Sequence, residues 1–90
     1  MVLRALRTEG PESRFAVTAG RIVGKAVVRN LVKRRLREAV WSMPVAGGWD
    51  FVLNARPGAA EAGYHGLRET ISELMFKAGM LEATGEGASR

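Results

Sequence analysis

Residues 26–43 contain neither glycine nor proline, and Pro44 follows at once. An uninterrupted stretch of this length, rich in Ala, Leu, Lys, Arg and Glu, predicts a helix. Wound at roughly 100° per residue, Val28, Leu31, Val32, Leu36, Ala39, Val40 and Met43 fall within an arc of about 180°. Beside that arc, Arg29, Lys33 and Arg37 recur at four-residue spacing, with Asn30 and Arg34 next to them. One side is thus shaped to pack on a sheet, and its neighbour carries a ridge of cations. Like charges at this spacing repel by a few tenths of a kcal/mol per pair. Only Glu38 offsets them, which favours an anionic partner over water. Arg35 falls inside the apolar arc, where it either extends its charge outward along its stem or meets a partner.

The charge of the whole chain sits in this region. Ninety residues carry 14 basic and 9 acidic side chains, a net of +5. Residues 21–38 hold seven of the basic groups (Arg21, Lys25, Arg29, Lys33, Arg34, Arg35, Arg37) and one acidic group, a local charge of +6. The remainder is close to neutral. A confined basic block of this kind marks a face for a polyanion, with nucleic acid the first expectation. A membrane-surface helix is disfavoured, because the apolar arc carries no aromatic anchor and Trp41 lies on the polar side. DNA is not expected either, since no helix-turn-helix spacing or dimer heptad is present.

The rest of the chain reads as one small domain over residues 1–81, with a frayed tail over 82–90. Residues 1–7 and 14–19 read as strands separated by a turn at Gly10-Pro11, and their closeness predicts a hairpin between them. Residues 49–55 alternate, with Trp49, Phe51, Leu53 and Ala55 on one face. Tyr64, Leu67, Ile71, Leu74, Met75 and Ala78 recur at helical spacing, so residues 64–78 form a second amphipathic helix closed by Gly79.

Catalytic groups are scarce. His65 is the only histidine and Asp50 the only aspartate, and cysteine is absent. A two-histidine nuclease site, a thiolate metal site and a two-metal carboxylate cage are therefore not expected, and neither a P-loop nor a bound cofactor is indicated. No apolar run approaches the roughly 20 residues of a membrane span, and the first ten residues lack a signal-peptide core, so a cytoplasmic location is expected. Single-stranded RNA is commonly held by cations together with aromatic stacking. Phe15, Trp49 and Phe51 lie on strands, where a core role is the stronger reading, and Phe15 and Trp49 remain candidate contacts.

The string Val23-Gly24-Lys25-Ala26-Val27-Val28-Arg29-Asn30-Leu31-Val32-Lys33-Arg34-Arg35-Leu36-Arg37-Glu38 resembles the signature of the bacterial ribonuclease P protein subunit. The segment Trp49-Asp50-Phe51 to Arg56-Pro57-Gly58 and the closing Gly79-Met80-Leu81 are similar to that family as well. Ile22 stands where the family usually has a second Lys, and Leu31 replaces the third residue of its Arg-Asn-Arg core. The family also has a helix before the first strand, and this sequence starts near that strand. The resemblance implies an α+β fold, a two-layer α/β sandwich with a mostly antiparallel sheet, and a basic helix in a left-handed βαβ crossover like that of a ribosomal protein domain. It implies binding to the catalytic ribonuclease P RNA, and help in removing the 5′ leader of precursor tRNA. The active site and its Mg2+ ions are expected in the RNA. Carried over by position, Arg29, Asn30, Lys33, Arg34 and Arg37 are the expected RNA contacts, with Arg21 and Lys25 just before them. A cleft between helix and sheet, near Phe15 and Trp49, is expected to take the leader. The alternative is a non-catalytic RNA-binding domain of ribosomal type.

Overall fold

A computed structural model describes residues 1–82. The chain runs β1 (Val2–Arg7), β2 (Arg14–Ala19), a single 3-10 turn (Arg21–Val23), α1 (Ala26–Trp41), β3 (Trp49–Ala55) and α2 (Ala59–Ala78). Three strands form one layer and two helices the other, as the α+β reading expects. No helix among the described residues is long and apolar enough to cross a membrane. Of the expected tail, Glu82 donates its backbone N–H to the Pro44 carbonyl, and 83–90 lie outside the described residues.

The hairpin between β1 and β2 does not form. The sheet order is β1-β3-β2, so β3 enters between the two earlier strands. It runs antiparallel to β1 and parallel to β2. The physical reason lies in β3 itself. Phe51, Leu53 and Ala55 are its buried face, and a strand that apolar is best covered at the centre of a sheet. Helix α1 connects β2 to β3 and supplies the long crossover that parallel neighbours require. Register places Ala5, Phe51 and Phe15 in one row and Leu3, Leu53 and Val17 in the next. The small Ala5 leaves room on one side of Phe51, and Phe15 stacks on the other with ring centroids 5.3 Å apart.

The core lies between the sheet and the helices. Val32, Leu36 and Ala39 of α1, Leu53 of β3 and Ile71 and Met75 of α2 are fully buried, and Met80 joins them beyond the second helix. Ala78, counted with the apolar stripe, is exposed in the last turn. Helix α1 stops at Trp41, short of Met43, because the Ser42 hydroxyl turns back to the Ala39 carbonyl (2.7 Å). Arg68 of α2 then donates to the Ser42 hydroxyl at 2.8 Å, tying the two helices together. Helix α2 begins at Ala59, earlier than the periodicity indicates. Gly63 (φ 71°) breaks it there, so the regular stripe starts only at Tyr64.

The opposite face of the sheet is open. It carries exposed Arg4, Leu6, Arg14, Ala16, Thr18, Val52 and Asn54. Arg14 pairs with Asp50 at 3.1 Å. The hydrogen bond and charge of Asp50 raise the Arg14 guanidinium above its ordinary value.

Candidate nucleic-acid interface

The basic segment spans the 3-10 turn and α1, and its position follows from how the helix buries itself. Val32, Leu36, Ala39 and Val40 face the core. The cations beside them are consequently spread from the helix flank to its outer side. Arg21, Lys25, Asn30 and Arg34 are exposed, whereas Arg29, Lys33 and Arg37 are half-buried along the flank. The Arg29–Lys33–Arg37 row is therefore not a free solvent ridge. Its stems pack against the domain and its charged ends emerge at the boundary. The Nε of Arg29 is buried and has no hydrogen-bond partner among the described residues. Arg35 departs from the row: it donates to the Ala60 carbonyl of α2 at 3.1 Å, so it fastens helix to helix.

Among the described residues the only ion pair is Arg14–Asp50. None of the seven cations between residues 21 and 38 is neutralised by a carboxylate there. The N-terminus of α1 adds to this field. Lys25 occupies its cap position, no side chain caps the first-turn N–H groups, and no acidic residue stands in that turn. The positive end of the helix dipole and its unpaired donors therefore point the same way as Arg21 and Lys25. Gly24 allows the approach, since a Cβ there would lie 2.9 Å from Val28 Cγ1. Val27 (80% exposed) and Ile22 (77%) lie at this end of the helix. Val27, Asn30, Leu31, Arg34 and Arg37 line a shallow depression along the outer face of α1. Cations, an amide and apolar surface are thus presented together, the combination that contacts phosphate, base edge and ribose.

The aromatic candidates are arranged differently from expectation. Phe15 is half-buried, stacked on Phe51 and covered at its edge by Trp41 (centroids 6.4 Å apart, 74° between planes). Trp49 is half-buried against the core, with the Arg7 guanidinium 5.0 Å above its ring. Each has a face already occupied. Trp41, read from the sequence only as a residue on the polar side, is 69% exposed, and among the described residues only Phe76 of α2 (76%) is a more exposed large aromatic. The position of Trp41 beside Phe15 had no local sequence signal, because it depends on β2 packing beside the last turn of α1. His65 is exposed and meets only the ring of Tyr64 in an edge contact of 5.4 Å. Among the described residues no three His, Asp or Glu side chains come together as metal ligands would.

A family model described as Ribonuclease P matches residues 1–79. The ribonuclease P protein component of Symbiobacterium thermophilum is 44% identical over 79 residues, covering 84% of this chain and 68% of that protein. That of Geobacillus thermodenitrificans is 36% identical over 81 residues, 88% of this chain and 67% of that protein. Among solved structures, the Staphylococcus aureus RNase P protein superposes with a TM-score of 0.75 at 20% identity, over 89% of this chain and 75% of that one. The RNase P protein from Thermotoga maritima does so with a TM-score of 0.74 at 25% identity, over 83% and 74%.

Proposed function

The chain belongs to the ribonuclease P protein family, and from that premise we propose that it binds the catalytic RNA of the enzyme and the 5′ leader of precursor tRNA. The single observation that carries this reading is the cationic segment of residues 21–38, which finds no carboxylate partner among the described residues. Arg21, Lys25 and the uncapped N-terminus of α1 receive phosphates of the RNA, and Asn30 offers a donor and an acceptor to a base or ribose. Arg29, Lys33, Arg34 and Arg37 continue the contact along the helix. The chemistry of leader removal is assigned to the RNA and its Mg2+ ions. The protein lowers the repulsion between two polyanions and so holds the leader in place.

The test is 5′ maturation of precursor tRNA by a bacterial ribonuclease P RNA at limiting Mg2+, with and without the full chain. Stimulation is expected, and greater loss of stimulation with Arg34→Ala than with a substitution on the outer sheet face. Tight RNA binding with no stimulation would instead identify a general RNA-binding domain.

A further inference from the structure

Where the last turn of α1 passes β2, a groove of about 540 Å3 opens between the helix, the strands and residues 11–13. Its walls include Trp41, Phe15, Val40 and Met43, and the exposed Glu12 and Glu82 stand at its margin. One wall is held firmly: the Ser13 hydroxyl donates to the Ala46 carbonyl (2.6 Å) and accepts from the Trp49 N–H (3.0 Å). Trp41 is 69% exposed although it is one of the largest apolar side chains in the molecule. Its edge-on contact with Phe15 fixes the indole on one side and leaves the rest of the ring uncovered.

The surroundings select among occupants. Trp41 lies one turn beyond Arg37 and about 18 Å from Arg29 along the helix axis, at roughly 1.5 Å per residue. A strand whose phosphates lie on the α1 cations therefore reaches it within a few nucleotides. The margin itself is acidic. Carboxylates there repel phosphate, and an anionic membrane surface equally, but accept hydrogen bonds from base N–H groups. The chemistry favours a flat, uncharged ring inside, with the backbone outside on Arg37. A second copy of the chain is a poorer fit. Of the other exposed large apolar groups among the described residues, Ile22 and Val27 sit at the opposite end of α1, Leu6 and Val52 lie on the outer sheet face, and Phe76 lies near the end of α2. Among the described residues Trp41 is the one exposed large apolar side chain that lines the groove, less than an interface between copies needs.

We propose that Trp41, steadied by Phe15, is a stacking site for one unpaired nucleobase of the RNA strand held by the α1 cations. This rests on the RNA-binding reading above and extends it to the C-terminal end of the helix. A stacked base is sequence-tolerant and is felt as affinity.

The test compares the full chain with Trp41→Leu, which keeps an apolar side chain without an aromatic face, and with Trp41→Phe. Each is first shown to be folded by circular dichroism. Binding of a labelled single-stranded oligoribonucleotide is measured by anisotropy, beside a matched oligomer abasic at alternate positions. Trp41→Leu is expected to weaken the intact oligomer about five- to tenfold, to leave the abasic one unchanged, and to be rescued by Trp41→Phe. Equal loss for both oligomers overturns stacking and assigns the effect to displaced packing. No loss with Trp41→Leu, while Arg34→Ala does lose affinity, overturns stacking and leaves the RNA-binding reading standing. Failure of the unsubstituted chain to bind RNA at all overturns both. Self-association that needs Trp41 and occurs without RNA overturns the proposal in favour of an interface between copies.

Discussion

Arg29 offers a sharp test of how this domain trades stability for RNA affinity. Its Nε is buried without a partner among the described residues, and Lys25 and Lys33 stand one helical turn away on either side. An unsatisfied buried donor costs about 1–3 kcal/mol. The side chain is only half-buried, so the lower end applies, and like-charge repulsion with its two neighbours adds a few tenths more. Arg29→Met removes the donor and the charge while keeping most of the apolar stem. The free chain should gain about 1 kcal/mol, which for a domain of this size raises Tm by about 4–8 °C. RNA affinity should fall in the same variant, and the slope of log affinity against log salt should flatten by about 0.7–0.9, the signature of one lost phosphate. Arg29→Lys separates the two effects, because it lacks Nε yet keeps the charge. It should retain the slope and share part of the stabilisation. Differential scanning calorimetry and salt-dependent anisotropy read the two quantities. A lower Tm for Arg29→Met, or an unchanged salt slope, would refute the view that Arg29 trades stability of the free chain for RNA affinity.

Further outcomes follow from the same geometry. Arg35→Ala should lower stability by about 0.5–1.5 kcal/mol in urea unfolding, through its lost bond to Ala60, and leave the salt slope intact. Arg34→Ala should do the reverse. Leu36→Ala, at a fully buried position of α1, should cost about 2–5 kcal/mol, enough to abolish cooperative unfolding in so small a domain. If about five or six phosphates are neutralised, the salt slope of the unsubstituted chain should be about −4 to −5, and a flat dependence would remove the electrostatic reading of α1. Because Asp50 raises an Arg14 value that already lies far above neutrality, the Arg14 side of that pair contributes its stability throughout the range from mild acid to mild alkali. Titrating from mild acid to mild alkali should show no transition that Arg14→Gln removes.

Much of this architecture was legible in one dimension. The glycine-free stretch, its apolar arc and the alternation of residues 49–55 located α1 and β3, since both periodicities are local properties of a chain with one wet and one dry side. The confined charge and the string from Val23 to Glu38 led to RNA and to the family. The order of strands did not follow from sequence proximity. β1 and β2 are neighbours along the chain, yet β3 lies between them, because the strand with the most apolar face is covered best at the centre and the crossover through α1 delivers it there. The Gly63 break in α2 likewise shifted a boundary that periodicity alone sets at Tyr64.

The sequence by itself determined that the positive charge is gathered on one helix, and which side of that helix is dry. Only the tertiary structure decided what each cation does. Arg35 is turned to a carbonyl of α2, Arg29 keeps a buried donor without a partner among the described residues, and Arg34 is exposed. The same packing leaves Trp41 bare beside Phe15, while Arg7 covers Trp49. These differences arise from residues brought together across β2, α1 and α2 rather than from neighbours along the chain. A helical projection ranks side chains by angle, but exposure depends on what lies opposite them.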